Sequence, residues 1–240
     1  TSVKNTHIII VGRRMIMEVN NPLYKRQGLH VITAIFTVDK GVVKVLLIRR
    51  KNEPYKNMWA LVGGALYNNE TLLAGAKREI KEKVGIENID LYTAGIFDKI
   101  DRSPVMRMIA IAYIGVIDRY RVKILTKTLK TDDAKWFDIS DIPKLAYDHN
   151  DILNSCLEEL KKKILYTDVV KSLFIKGFTI PELQKVYETI LETKFDRRNF
   201  RKKILSLDLI TETDLTENFE GNKPAKVYKF KNNKKGKNVF

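Results

Sequence analysis

The chain has 240 residues, enough for one large domain or two small ones, and its 44% hydrophobic content is that of a globular protein. The 44 basic residues outnumber the 29 acidic ones, and the net charge of +15 favours a polyanionic partner: nucleic acid, a nucleotide or an acidic membrane surface. The single cysteine, Cys156, excludes an intramolecular disulfide and is expected in the core. The longest apolar run, 108–117, is too short to span a bilayer as a helix, so we expect a cytoplasmic protein with no membrane partner.

The first part of the chain mixes predicted strands and helices. Two β-branched apolar runs flank Asp39-Lys40-Gly41, which is typical of a hairpin. Strands are predicted at 31–38, 42–48, 108–117 and 134–139. Helical periodicity predicts helices at 70–84 and 151–165. This mixture predicts an α+β or α/β layer structure.

The pattern changes after residue 165. Thr179 and Glu182 form a capping box at the start of a predicted helix, and Asp196 can cap a second helix that runs to about Ser206. Two predicted strands, 209–213 and 225–231, then surround a polar loop at 217–224. Two helices followed by a two-stranded wing form a coherent small unit.

The most informative motif covers residues 64–86. A glycine and a glutamate are followed, seven residues later, by Arg-Glu-Ile-Lys-Glu-Lys-Val-Gly-Ile, and this pattern resembles the Nudix box. At ordinary residue frequencies, six fixed matches arise by chance on the order of 10⁻⁷ per start position. The matching positions are Gly64, Glu70, Arg78, Glu79, Glu82 and Gly85.

The box has an electrostatic meaning. Glu79, Glu82 and residue 83 share one helix face, which in the hydrolases of the Nudix family binds Mg²⁺ or Mn²⁺ and, through the metal, a pyrophosphate. Here residue 83 is Lys in place of a glutamate, and unit charges about 4 Å apart interact by about 4 kcal/mol at an effective dielectric near 20. We therefore expect Glu79 and Glu82 to bind a metal only weakly, with Lys83 swung away, and to be catalytic only if the protein is active. No cofactor is required on this interpretation, and Mg²⁺ is expected only for a hydrolase. A solvated helix face balanced by Lys81 and Lys83 is the alternative.

Taken together, the two halves resemble the Nudix-related transcriptional regulators, in which a Nudix domain senses a metabolite and a C-terminal winged helix binds an operator. The resemblance covers about residues 30–231, and a corrupted box is usual in that family. The stretches that carry it are 48–54, 59–64, 98–104, 145–149, 178–187, 198–203 and 223–228.

The resemblance implies an α+β protein: a Nudix α/β/α sandwich with a mixed sheet, followed by a small winged helix-turn-helix domain. It also implies a homodimer. The predicted division is an N-terminal extension (1–30), a Nudix-like ligand-binding domain (31–165), a winged-helix DNA-binding domain (166–231) and a basic tail (232–240).

A set of polar, charged and glycine residues is assigned to the ligand site. Arg102 suits a phosphate or ribose by resemblance, although on sequence alone it is an ordinary loop charge. His149 is either a donor in the pocket or a helix-entry residue bonded to backbone, and Asp148 could be only a helix cap. Trp59 is interpreted as core rather than as a base-stacking platform. The predicted ligand residues are Arg49, Arg50, Gly63, Gly64, Arg78, Arg102, Asp148 and His149.

A second set is assigned to DNA. Arg and Asn are the side chains that read base edges in the major groove, and the wing lysines would contact phosphates. The alternative is a solvated basic face. The predicted DNA-binding residues are Arg197, Arg198, Asn199, Arg201, Lys202, Lys203, Lys223 and Lys226.

Three functional hypotheses follow. The leading one is a transcription regulator whose degenerate Nudix domain senses a phosphorylated effector, either ADP-ribose or a sugar-derived metabolite, and whose other partner is a double-stranded DNA operator. The second is a Mg²⁺-dependent Nudix hydrolase of ADP-ribose or a similar diphosphate. The third is a nucleotide-binding module that docks other proteins.

Overall fold

The computed structural model describes residues 10–11, 14–15, 26–166, 168–221 and 223–231. Two short strands, β1 (Ile10–Val11) and β2 (Arg14–Met15), pair with each other. The rest of the predicted extension before residue 26, and the predicted tail after residue 231, lie outside the described residues.

The first half is built on a seven-stranded mixed sheet. Its central path runs β5-β4-β3-β8-β7, with β6 paired to β3 and β9 to β4. Strands β3 and β8 are parallel and the other pairs are antiparallel, which confirms the predicted mixed sheet. The strands are β3 (Gly28–Asp39), β4 (Val42–Arg50), β5 (Trp59–Ala60), β6 (Val62–Ala65), β7 (Leu91–Phe97), β8 (Met108–Val116) and β9 (Thr131–Asp138).

Two helices, α1 (Leu72–Val84) and α2 (His149–Tyr166), cover the two faces of this sheet. Because neighbouring residues of a strand point to opposite faces, β3 contributes to both cores. Ile35 packs in the cluster that contains Ile80 of α1, whereas Phe36 packs in the cluster that contains Leu160 of α2. The buried Cys156 of α2 joins the second cluster, as expected for a core residue.

Three strands of this half escaped prediction. Both β5 and β6 are short, and β6 contains Gly63 and Gly64, which have low strand propensity. A Cβ on Gly63 would lie 2.3 Å from the carbonyl oxygen of Val31, so only glycine lets the backbone of β6 approach β3 this closely. Strand β7 lies at the sheet edge and lacks a clear alternation. Strand β3 begins at Gly28, three residues before the predicted start.

The second half contains the predicted helix-turn-helix and wing. A 3₁₀ helix at 168–173 leads into its strands and helices, and the sheet order β10-β12-β11 adds one strand to the predicted two. The extra strand, β10, has only two residues and pairs with β12, a long-range contact that leaves no local pattern. The elements are β10 (Phe178–Thr179), α3 (Ile180–Leu191), α4 (Arg197–Ser206), β11 (Ile210–Glu217) and β12 (Ala225–Phe230).

Both predicted helix caps are present. The hydroxyl of Thr179 accepts from the backbone N–H of Glu182 at 3.3 Å, and the carboxylate of Asp196 accepts from that of Asn199 at 2.9 Å. Each cap satisfies a backbone donor that the first helical turn leaves free.

The two halves share one hydrophobic core. Tyr187 of α3 and Phe200 of α4 belong to the same buried cluster as Leu160 of α2. The predicted polar loop of the wing also turns inward, since Phe219 is 8% exposed and its ring lies over Gly41 in the hairpin turn between β3 and β4. The winged unit is therefore packed against the sheet domain.

Candidate functional site

The Nudix-box helix meets the glycine strand at one point. Glu79 of α1 is 3% exposed, and a Cβ on Gly64 would lie 2.4 Å from its carboxylate. Gly64, which has no side chain, therefore lets β6 pass directly over the carboxylate. The alternative of a solvated helix face is wrong for Glu79, because packing of α1 against β6 buries its side chain.

Arg78 holds this carboxylate and a second one. Its guanidinium donates to Glu79 at 2.6 Å and to both oxygens of Glu70 at 2.7 and 2.9 Å, and it lies 3.7 Å from the ring centre of Tyr67. The hydrogen bond from Arg78 lowers the pKa of Glu70 to about 2. Arg78 thus joins the loop before α1 to the helix.

Lys83 does not swing away. Its ammonium lies 3.3 Å from Oε2 of Glu79 and donates to the carbonyl oxygen of Gly63, and the side chain is 11% exposed. Burial would raise the pKa of Glu79, but the charge of Lys83 and the hydrogen bond from Arg78 outweigh it and lower that pKa. Burial likewise lowers the pKa of Lys83, against the opposing charge of Glu79. The two groups form a buried ion pair.

Glu82 is the exposed member of the helix face. Its Oε2 lies 2.7 Å from the ammonium of Lys130, which also lies 3.7 Å from Glu79. Lys130 comes from the loop before β9, and nothing in the sequence around it predicted this contact. The carboxylates of the box are therefore neutralised by side chains of the protein itself.

A cavity of about 200 Å³ opens beside this ion pair. It collects residues from β3, β4, β6, α1, the 98–107 loop and the start of α2, so residues distant in the chain meet there. The polar and glycine residues that line it are His30, Arg50, Glu53, Gly63, Gly64, Lys83, Arg102, Ser103, Tyr147 and His149.

Arg102 and Asp148 form one wall of the cavity. The guanidinium donates to both carboxylate oxygens of Asp148, at 2.7 and 2.9 Å, and its side chain is 2% exposed. Arg102 is thus more than a loop charge, and the carboxylate of Asp148 holds it rather than serving only as a helix cap.

Two neutral histidines also face the cavity. The Nδ1 atom of His149 accepts a hydrogen bond from the backbone N–H of Leu61 at 3.0 Å, which leaves the hydrogen on Nε2. Burial and the charge of Arg102 lower the pKa of His149 to about 3 and that of His30 to about 4. His149 is therefore bonded to backbone and also lines the cavity. Sequence reasoning assigned no role to His30. Its position in the sheet, opposite Ala65 on β6, is what brings it to the cavity.

Aromatic rings form the outer part of the cavity. Tyr147 stacks on His149 with ring centres 5.5 Å apart, contacts Tyr55 at 4.6 Å, and has the guanidinium of Arg50 5.0 Å from its ring centre. The Leu-Ala-Tyr-Asp-His stretch contained the signal for Tyr147, but only its aspartate and histidine were assigned. Trp59 packs edge-on to Phe137 in the core, as expected.

Two predicted ligand residues lie away from the cavity. Arg49 neighbours Arg50 on β4 and points to the other face, where it pairs with Asp132 at 2.6 Å. Arg78 is bound by Glu70 and Glu79 as described. Six of the eight predicted ligand residues therefore line the cavity or hold its wall, and these two do not.

The basic helix α4 has the opposite character. Phe200 and Ile204 are buried, whereas all six polar residues predicted to contact DNA on this helix are exposed. Among the described residues, Arg197, Arg198, Lys202 and Lys203 take part in no ion pair. These cations therefore have no acidic neighbour that neutralises them.

The first turn of α4 carries Arg197 and Arg198 and has no acidic residue. The N-terminus of a helix carries a partial positive charge, so each cation there costs roughly 0.3–1 kcal/mol of stability. The two arginines do not serve the stability of their own helix.

The wing lies beside this helix. Arg201 donates to the hydroxyl of Tyr228 on β12 at 3.4 Å, which links α4 to the wing sheet. Lys223 and Lys226 are both exposed, and Lys226 pairs with Glu212 at 3.1 Å. None of the helices in the described ranges combines the length and the apolar composition of a membrane-spanning segment.

Comparisons with known proteins agree with this arrangement. The family model for the NUDIX domain matches residues 28–156, and that for the NrtR DNA-binding winged helix domain matches residues 170–230. The chain is 33% identical over 203 residues to the ADPR responsive transcriptional repressor NtrR of Acinetobacter baylyi, covering 82% of this chain and 79% of that one.

Two further relatives cover different parts. An ADP-ribose pyrophosphatase of Methanocaldococcus jannaschii is 36% identical over 132 residues, or 53% of this chain and 74% of that one. The crystal structure of Shewanella oneidensis NrtR complexed with a 27mer DNA superposes with a TM-score of 0.69 at 27% identity, covering 85% of this chain and 93% of that one. The chain belongs to the Nudix-related transcriptional regulators of the NrtR family, with a NUDIX domain followed by an NrtR winged helix.

Proposed function

We propose that this protein is a transcription repressor that binds a double-stranded DNA operator through α4 and the wing, and that ADP-ribose in the cavity changes its affinity for that DNA. The assignment of repressor and effector follows the Acinetobacter relative, an ADPR responsive transcriptional repressor. The protein acts in the cytoplasm, and as a homodimer because winged helices read two-fold symmetric operators in pairs.

One observation carries the DNA-binding half of this proposal. The second helix of the helix-turn-helix exposes arginines, lysines and an asparagine, and within the described residues four of its cations, Arg197, Arg198, Lys202 and Lys203, form no ion pair. Arginine and asparagine are the residues that bond guanine and adenine edges, and lysines contact phosphates. The DNA complex of the Shewanella relative supports the same assignment.

The chemistry of the cavity supports a diphosphate effector. Arg50, Lys83 and Arg102 supply positive charge, and the Nε2 hydrogen of neutral His149 is a further donor. The cavity of about 200 Å³ is smaller than a typical cleft for a complete ligand, so it accepts the charged diphosphate segment while the remainder extends outward past Tyr147.

A hydrolase of ADP-ribose is the second candidate, because the Nudix half is similar to an archaeal ADP-ribose pyrophosphatase. The ion pair of Lys83 with Glu79 argues against it, since it removes a carboxylate from metal binding. Turnover at tens per second with Mg²⁺, abolished by Glu82→Gln, would establish this candidate. A docking module would show neither turnover nor salt-dependent DNA binding.

The decisive test measures binding to DNA from the protein's own upstream region by fluorescence anisotropy. Replacing Arg197 and Arg198 with alanine should weaken binding by about 100-fold, because each contact contributes roughly 1–3 kcal/mol. ADP-ribose should shift the wild-type affinity at least about fivefold. The doubly substituted protein should still bind ADP-ribose in calorimetry with wild-type affinity.

The matched control replaces Lys77 and Lys144, two exposed lysines of the Nudix half, with alanine. It removes the same charge and should change DNA affinity less than about threefold. Equal losses of DNA affinity in the two variants would mean that only the net charge matters, and the proposal that α4 binds the operator would be rejected.

A further inference from the structure

The Lys83 ammonium occupies a particular place between two oxygens. One is Oε2 of Glu79, 3.3 Å away on the preceding helical turn, and the other is the backbone carbonyl oxygen of Gly63 on β6. A carboxylate and a backbone carbonyl are hard oxygen donors of the kind that bind Mg²⁺ and related ions. The ammonium therefore lies where such donors converge.

The residues present do not fit the divalent metal that the Nudix fold implies. Mg²⁺ requires near-octahedral oxygen ligands at about 2.0–2.1 Å, and a cation in contact with Glu79 would be repelled by the ammonium. Glu82 is bonded to Lys130 instead, at 2.7 Å. Within the described part of the chain, no group of three or more acidic, histidine or cysteine residues could hold a metal ion.

We propose that Lys83 replaces the divalent cation, so that its covalently attached charge binds the diphosphate of the effector and binding needs no metal. This inference rests on the proposed function, in that it takes ADP-ribose as the effector. Lys83 lines the cavity together with Arg50 and Arg102, which places three cations around one small volume. Without a metal to activate water, the bound effector is retained intact.

A purely structural role is the competing explanation. In that case Lys83 only neutralises the buried Glu79, and the effector is indifferent to it. The two explanations differ in what they predict for metal dependence, because a structural lysine would leave the requirement for a cation unchanged.

The test is calorimetric titration of the full-length protein with ADP-ribose in EDTA and again in Mg²⁺. We expect equal affinities for the wild type under both conditions. Lys83→Gln should weaken binding at least about tenfold in both, and Lys83→Glu should abolish binding in EDTA but recover it with Mg²⁺ or Mn²⁺. The Lys83→Glu variant should also bind Mn²⁺ alone, measured by electron paramagnetic resonance, where the wild type does not.

The matched control is Lys77→Glu, which makes the same charge change on an exposed face of α1 and should leave ADP-ribose affinity unaltered. If Lys83→Glu does not fold, the titrations of the wild type and of Lys83→Gln still test whether Lys83 replaces the metal. A wild type that binds ADP-ribose only with Mg²⁺, or Lys83→Gln with wild-type affinity, would overturn the role of Lys83. A wild type that binds ADP-ribose under neither condition would instead refute the effector assignment.

Discussion

The protein has two concentrations of positive charge, and they are organised in opposite ways. Around the Nudix box, Arg78, Lys83 and Arg102 are buried or half-buried and each is paired with a carboxylate of the protein. On α4, Arg197 and Arg198 are exposed and unpaired within the described residues. The first arrangement holds its cations in fixed positions around a cavity, whereas the second presents unpaired cations at the surface.

The difference shows that charge count alone does not identify a binding surface. Removing one partner of a buried pair leaves an uncompensated charge in a poorly solvated place, which is strongly destabilising. Removing an exposed, unpaired charge costs little stability. The stability of variants therefore distinguishes the two regions independently of any ligand.

The largest effect is expected at the cavity wall. Asp148→Ala would leave the guanidinium of Arg102 buried without its carboxylate, and should lower the free energy of unfolding by about 3–5 kcal/mol in urea denaturation. The control is Asp151→Ala, in the first turn of α2, whose exposed ion pair with Lys99 should change the free energy of unfolding far less. Similar losses of stability in the two variants would contradict the distinction between buried and exposed charges.

A change of intermediate size in the free energy of unfolding is expected when the pH is lowered. Burial and Arg102 depress the pKa of His30 to about 4 and of His149 to about 3, below the ordinary value of 6.5. The unfolded chain then binds more protons than the folded one below pH 6.5. The contribution of the two neutral histidines to the free energy of unfolding is therefore fully present above pH 6.5. It is lost as the pH falls toward 4, by up to about 1.4 kcal/mol per pH unit for each histidine.

Glu182 has the opposite effect on the pH dependence of stability, because burial raises its pKa to about 7 and its contribution is lost as the pH rises toward that value. The measurement is therefore the difference between the wild type and His30→Gln in urea denaturation at a series of pH values. His30→Gln should reduce the loss of stability between pH 6.5 and 4. A variant with an unchanged pH profile would show that the folded protein does not lower the pKa of His30.

The smallest expected effect is a gain in stability rather than a loss. Arg198→Glu places an anion in the first turn of α4, where the helix dipole favours it, and should raise the free energy of unfolding by about 0.3–1 kcal/mol. The same variant should lose DNA binding. Lys203→Glu, in the last turn, is the control and should destabilise the helix by a similar amount. If Arg198→Glu were destabilising, the arginine would have a structural partner after all.

Much of the fold was predictable because its signals are local. The hairpin at Asp39-Lys40-Gly41, the two helix caps at Thr179 and Asp196, and the β-branched apolar run of β3 all depend on neighbouring residues. The strands that escaped prediction have their cause elsewhere in the chain. Strand β6 exists because its glycines fit between β3 and Glu79, and β10 exists because β12 lies beside it.

The candidate site divides in the same way. The exposed face of α4 follows from helical periodicity, since its buried positions, Phe200 and Ile204, determine which side faces outward. The cavity does not follow from periodicity, because it assembles six separate segments. His30 and Lys130 had no distinguishing context, and Arg49 was assigned to the cavity although its neighbour Arg50 takes that position.

The sequence by itself determined the Nudix box, its lysine at position 83 and a basic helix at the reading position of a winged helix-turn-helix, because these depend on residue identity and short-range spacing. Only the tertiary structure decided where the charge of Lys83 is placed. A lysine side chain has several rotatable bonds, and its position is set by what surrounds it. Here the packing of α1 against β6 places the ammonium between Glu79 and the carbonyl oxygen of Gly63.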